Sequence, residues 1–150
     1  MPRGSPPSRS WTRRHNDTVR WLGVDPGAVR VGIAVCDEEE RLAVPLEVVP
    51  ASAAVPAVRS HAARNDVGGV VVGLPLSLDG HEGPAAAAAR RLGERVRRVL
   101  RLPVEYEDER FTSVAAGDPG RGGRPRDDIA AAIMLQQFID RRRRDAGLAP

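Results

Sequence analysis

Residues 21–35 have the sequence Trp-Leu-Gly-Val-Asp-Pro-Gly-Ala-Val-Arg-Val-Gly-Ile-Ala-Val, in which one carboxylate and a Pro-Gly turn separate two apolar runs. Short β-rich runs bounded by turn residues are typical of strands, and Pro26-Gly27 favours a tight reversal between them. The stretch therefore predicts a β-hairpin with Asp25 at the exposed end of a buried strand. An acid held rigidly there suits divalent-metal chemistry on phosphodiesters, whereas the simpler interpretation is an aspartate that caps the turn.

The segments beyond the hairpin extend it into a layered domain. Alternating or β-branched apolar residues predict three more strands: residues 42–50, 67–74 and 103–107. Apolar residues at helical spacing predict three helices: residues 52–64, 84–101 and 127–143. The order β-β-β-α-β-α-β-α, with right-handed crossovers, predicts a three-layer α/β domain whose mixed five-stranded sheet is flanked by helices.

The domain boundaries follow from composition. Residues 1–19 combine Pro, Ser, Gly and Arg with almost no apolar content, so we predict a disordered basic extension there. Residues 20–143 would form the folded domain, and residues 144–150 a C-terminal tail. The arginines at 141–144 have two interpretations, a phosphate-facing fringe or a solvated tail.

Composition also narrows the class of protein. A single cysteine, Cys36, rules out an intrachain disulfide and a Cys-rich zinc site, and its place in an apolar run predicts a core residue. No apolar run approaches the roughly 18 residues that span a bilayer, so we expect a cytoplasmic protein with no membrane partner. All 23 basic residues are arginine, which is compatible with nucleic acid because arginine binds phosphate bidentately.

Acidic residues stand at three places where strand ends and a helix start could converge. Asp25 follows the first strand, Asp108-Glu109 the last, and Asp127-Asp128 opens the final helix. Converging carboxylates repel one another, and a pair of Mg²⁺ or Mn²⁺ ions about 4 Å apart would relieve that repulsion. Oxygen ligands favour these ions. The alternative for Asp127 and Asp128 is that they only cap the helix.

Four ordered motifs carry a family resemblance. They are Gly23-Val-Asp25-Pro-Gly27 with Arg30-Val-Gly32, Val72-Gly73-Leu-Pro75 through Asp79-Gly80, Asp108-Glu109-Arg110-Phe-Thr112, and Asp127 followed by Ala130-Ala131 and Ile133-Met-Leu135-Gln136. From about residue 21 to 140 the chain resembles the YqgF/RuvX family, the Holliday junction resolvases also called pre-16S rRNA nucleases. The resemblance implies a ribonuclease H-like fold and metal-dependent phosphodiester hydrolysis. The expected substrate is the 5′ end of precursor 16S rRNA, or branched DNA.

Carried over onto this sequence, the resemblance implies that Asp25, Glu109 and Asp127 are the catalytic acids and the metal ligands. Asp108 and Asp128 remain alternates. Strand alternation sends Asp108 and Glu109 to opposite faces, so only one of them can be a direct ligand.

The substrate contacts are less sharply defined. Arg30 and Arg110 are candidates for binding phosphate, and the alternative for Arg30 is a solvated edge residue of its strand. Thr112 could bind substrate or cap a short helix. We expect nucleic acid, and with it ribosomal precursor particles, as partners, and the sequence leaves monomer and homodimer equally open.

Two departures from the family pattern concern the substrate. Ala28-Val29 stands where relatives usually have Thr-Lys, and the glycine-rich stretch 117–126 is shorter than its counterpart. One rival interpretation is a non-catalytic nucleic-acid-binding protein on the same fold. A sugar-kinase-like phosphotransferase is disfavoured, because it needs two such domains.

Overall fold

The computed structural model describes residues 19–109 and 127–147. Five strands form one mixed sheet in the order β3-β2-β1-β4-β5. The strands are β1 (Trp21–Pro26), β2 (Arg30–Cys36), β3 (Ala43–Pro50), β4 (Gly69–Leu74) and β5 (Val104–Asp108). The first three pair antiparallel, and β4 is parallel to both β1 and β5. This confirms the predicted hairpin and the predicted mixed sheet.

Within the described residues, three α-helices connect or follow the strands. They are α1 (Ala54–Arg64), α2 (Pro84–Leu100) and α3 (Asp127–Asp145). A turn of 3-10 helix, Ala51–Ala53, precedes α1, so Pro56 lies in the first turn, where its missing N–H leaves no hydrogen bond unmade. Helix α3 continues two residues past the predicted end at residue 143. The predicted extension lies outside the described residues except for Val19.

The two faces of the sheet are covered by different helices. Leu22 and Val24 of β1 alternate with Trp21 and Gly23, as the two-residue period of a strand requires. Leu22 and Val24 belong to the core beneath α1 and α2, whereas Trp21 belongs to the core beneath α3. Asp25 continues the Trp21 and Gly23 series, so its side chain is on the α3 face.

The α3 core contains Cys36, which is fully buried. Burial raises the pKa of its thiol to about 11. This confirms Cys36 as a core residue. No helix within residues 19–109 and 127–147 is long and apolar enough to cross a membrane.

The arginines at the end of α3 hold the helix against the sheet. Arg141 binds the buried carboxylate of Glu107 through both terminal nitrogens, at 2.6 and 2.8 Å. Arg142 Nε donates to Glu40 Oε1 at 2.8 Å, and its guanidinium lies 5.0 Å from the Trp21 ring centroid. Arg143 is 6% exposed and donates to the backbone carbonyl of Glu39. Both interpretations offered from the sequence, a phosphate-facing fringe and a solvated tail, are therefore wrong for residues 141–143.

Candidate active site

The sequence-predicted acids meet at one edge of the sheet, on the α3 face. Asp25 is the fifth residue of β1, and β1 lies between β2 and β4 in the sheet. Glu109 directly follows β5, and its N–H donates to the Leu74 carbonyl at 3.1 Å, which extends the parallel pairing of β4 and β5 by one residue. Asp127 is the first residue of α3. Three separate elements therefore deliver one acid each.

Asp25 and Glu109 are joined by a side-chain hydrogen bond, and we call them the acid pair. Burial raises the pKa of Asp25, the bond from Glu109 lowers it, and the negative charge of Asp127 raises it. Burial, the bond to Asp25 and the charges of Asp25 and Asp108 together raise the pKa of Glu109 to about 10. Because a hydrogen bond between two carboxyl groups needs a proton, the acid pair retains one at neutral pH.

Two glycines make room for these acids. Gly32 is the register partner of Asp25 on β2, and a Cβ there would overlap the backbone carbonyl of Asp127. A Cβ on Gly73 of β4 would overlap the Glu109 carboxylate. Neither role was predicted from the sequence. The available signal was a glycine inside a β-branched run, which indicates a close approach of another group.

Asp127 lies beside the acid pair but contacts Arg30. Arg30 Nε donates to Asp127 Oδ2 at 3.3 Å, and both side chains are exposed, by 68% and 40%. Over the described parts of the chain, no three His, Cys, Asp or Glu side chains are gathered closely enough to hold a metal ion. The structure thus joins two of the predicted acids and leaves the third paired with an arginine.

Asp108 and Asp128 are the two alternate acids, and both lie within the described residues. Asp108 ends β5 and alternates with Glu107, so its side chain is on the side away from α3. Asp127 and Asp128 both lie in the first turn of α3, where negative charge interacts favourably with the helix dipole. Arg110, Thr112 and the stretch 117–126 lie outside the described residues.

The family model for RuvX, described as Holliday junction resolvase, matches residues 19–141. The chain belongs to the RuvX family. A protein of Chloroflexus aggregans named "Putative pre-16S rRNA nuclease" is 43% identical over 133 residues, covering 81% of this chain and 94% of that protein. A protein of the same name from Nocardioides sp. is 43% identical over 144 residues, covering 86% and 92%. These matches confirm the resemblance drawn from the four motifs.

The solved structures support the fold. The structure titled "T. thermophilus RuvC in complex with Holliday junction substrate" matches with a TM-score of 0.52 and 18% identity, over 83% of this chain and 95% of that one. A second Thermus thermophilus RuvC structure matches with a TM-score of 0.50 and 20% identity, over 82% and 95%. RuvC has a ribonuclease H-like fold, so the predicted fold class is confirmed.

Proposed function

We propose that this chain is a metal-dependent nuclease that processes the 5′ end of precursor 16S rRNA. The observation that carries the proposal is the acid pair. Two carboxyl groups, Asp25 and Glu109, are held in contact in a partly buried site with a third acid, Asp127, within electrostatic range. Such an arrangement is unfavourable in a protein unless a cation or a proton offsets the repulsion, and perturbed carboxyl groups of this kind cluster at functional sites.

The donor set fits a hard divalent cation. All the candidate ligands are carboxylate oxygens, which Mg²⁺ and Mn²⁺ prefer, and a cation would replace the proton that the acid pair now shares. Asp25, Glu109 and Asp127 would hold the metal, as one ion or as a two-metal site, with Asp128 as the alternate to Asp127. The alternate Asp108 is disfavoured, because its side chain is on the side of the sheet away from α3. When bound, such an ion lowers the pKa of a water nucleophile and stabilises charge on the leaving oxygen.

The chain itself supplies rigidity and space. Asp25 is fixed by pairing on both sides of β1, and the backbone of Glu109 is tied to β4. Gly32 and Gly73 keep Cβ atoms out of the volume that the acids occupy. Arg30 stands at the rim, where its guanidinium could bind a substrate phosphate. Arg110 and Thr112 stay candidate substrate contacts of this proposal, on the residue types that the sequence places there.

The substrate class follows from the relatives. Proteins 43% identical to this chain are named for precursor 16S rRNA, and this favours RNA as the substrate. A precursor ribosomal particle in the cytoplasm is the partner and the place that we propose for it. The family description, Holliday junction resolvase, makes branched DNA the second candidate. A homodimer would suit the symmetry of a four-way junction, whereas a monomer is sufficient for a single-strand end.

The test is cleavage of end-labelled precursor 16S rRNA and of a labelled four-way DNA junction, each with Mg²⁺, with Mn²⁺ or with chelator. We expect ion-dependent cleavage of the RNA near the mature 5′ end. Cleavage of the junction alone would reassign the substrate to DNA. Equal cleavage with chelator would refute the metal mechanism, and binding without cleavage under all conditions would favour the non-catalytic alternative.

A further inference from the structure

The contact between Arg30 and Asp127 joins a candidate substrate residue to a candidate metal ligand. Arg30 is the first residue of β2, and Asp127 is the first residue of α3. One nitrogen–oxygen distance, 3.3 Å, connects their side chains, and both are open to solvent. The pair therefore belongs to the rim of the site, where ions and phosphates arrive.

The backbone explains why Asp127 points to Arg30. Gly32 lies directly beneath the backbone of Asp127, which places the start of α3 over β2. Arg30 is two residues before Gly32, so its side chain leaves the same face of that strand. Asp25 and Glu109 meet farther across the sheet, toward β4 and β5. Asp127 therefore lies between the Arg30 guanidinium and the acid pair.

We propose that Arg30 and the metal ion compete for the Asp127 carboxylate, so that ion binding releases the Arg30 guanidinium for a substrate phosphate. This inference rests on the proposed function. An exposed ion pair is weak enough to exchange, and a guanidinium stays charged at every relevant pH and binds phosphate through two nitrogens. Metal loading and nucleic-acid binding are then coupled, and by linkage each strengthens the other by the same factor.

The direct test observes the arginine rather than the reaction. The Nε–H resonance of Arg30, assigned by its loss in Arg30→Gln, is followed by NMR while Mg²⁺ is added to the chelator-treated protein without nucleic acid. We expect the resonance to move toward its position in chelator-treated Asp127→Asn, in which the ion pair is already lost. A resonance that stays in place while calorimetry shows Mg²⁺ binding would overturn the inference.

A second test measures the competition itself. Calorimetry with Mn²⁺ should show Arg30→Gln binding the ion about two- to fivefold more tightly than the wild type, the range expected for an exposed ion pair. Arg59→Gln, an exposed arginine on α1 across the sheet, is the matched control and should leave the affinity unchanged. The gain should vanish when Arg30→Gln is combined with Asp127→Asn. An equal gain in that background would mean a general charge effect and would overturn the inference.

The two proposals fail differently. Normal Mn²⁺ binding and cleavage with no response at Arg30 would overturn the competition alone. No Mn²⁺ binding by the wild type and no cleavage of either nucleic acid would overturn both.

Discussion

Glu107 and Glu109 stand two residues apart on the same face at the end of β5, yet their surroundings are opposite. Glu107 is 2% exposed and its carboxylate receives two bonds from Arg141 and one from Gln137, at 2.6 to 3.1 Å. Glu109 has another acid, Asp25, as its hydrogen-bonding neighbour. The Glu107 carboxylate is matched by a cation, and the Glu109 carboxyl group is matched by a proton.

The same contrast distinguishes the two ends of helix α3, where the acids in the layer beneath it have different partners. At the C-terminal end of the helix, Arg141 and Arg142 neutralise Glu107 and Glu40, so these buried acids fasten α3 to the sheet. At the N-terminal end, Asp25 and Glu109 are hydrogen-bonded to each other, and Arg30 of the described residues is paired with the third acid, Asp127. Buried carboxylates that already have cationic partners are structural here, and a carboxylate pair that retains a proton is the better candidate for binding an ion from solution.

The largest effect expected is on activity. Asp25→Asn should reduce ion-dependent cleavage of precursor rRNA by roughly a hundredfold or more, because it removes a metal ligand but keeps the shape of the side chain. The rate is measured with Mg²⁺ on labelled RNA. Glu105→Gln, an exposed acid of β5, is the control and should cleave at the wild-type rate. If Asp25→Asn cleaves the RNA at the wild-type rate, the acid pair has no catalytic role.

The next effect is on stability, at the other end of the layer. Glu107→Ala should lower the free energy of unfolding by about 2 kcal/mol, because it strips Arg141 and Gln137 of a buried partner. The loss stays below that of a fully buried pair because the Arg141 side chain is 44% exposed and can turn to water. Urea unfolding measures it, and Glu105→Ala should change stability by less than about 0.5 kcal/mol. Equal losses in the two variants would contradict a structural role for the pair.

Two glycines of β4, Gly69 and Gly73, allow the same substitution to be compared at the two ends of this layer. A Cβ on Gly69 would lie 2.6 Å from the Trp21 ring, so Gly69→Ala should cost about 1–2 kcal/mol of stability and little activity. A Cβ on Gly73 meets the Glu109 side chain, which can move, so Gly73→Ala should keep its stability and lose about tenfold in cleavage rate. Urea unfolding and rRNA cleavage are measured on both. If Gly73→Ala lost stability and Gly69→Ala lost activity instead, the space at Gly73 would not position Glu109.

The last effect is a slope of stability against pH. The folded protein holds the Glu109 proton up to a pKa of about 10, whereas the unfolded chain releases it near 4.5. The folded state therefore binds more protons between these values, and stability in chelator should fall as pH rises from 5 to 8, by at most about 1.4 kcal/mol per pH unit. Glu109→Gln should flatten this slope in urea unfolding. If Glu109→Gln keeps the wild-type slope of stability against pH, a group other than Glu109 binds the proton.

Local sequence patterns were enough to predict the fold, because each strand or helix has its characteristic residue pattern within a short segment of the chain. The apolar runs around Asp25-Pro26-Gly27 predicted the hairpin, and the Val-Val-Val run predicted a central strand. Motif order then identified the candidate acids. The roles of residues 141–143 were not predictable, because a basic run has the same local appearance whether its partners are water, phosphate or buried glutamates.

The sequence by itself determined the order of strands and helices, the family, and the three acids at element ends, since these depend on residue type and spacing along the chain. Only the tertiary structure decided which acids touch. It placed Glu109 against Asp25 through the space at Gly73, and it turned Asp127 toward Arg30 through the space at Gly32. The physical reason is that burial and ion pairing depend on distances between elements that are far apart in sequence. A carboxylate next to an arginine stabilises the fold, whereas a carboxylate next to another acid is a candidate ion ligand.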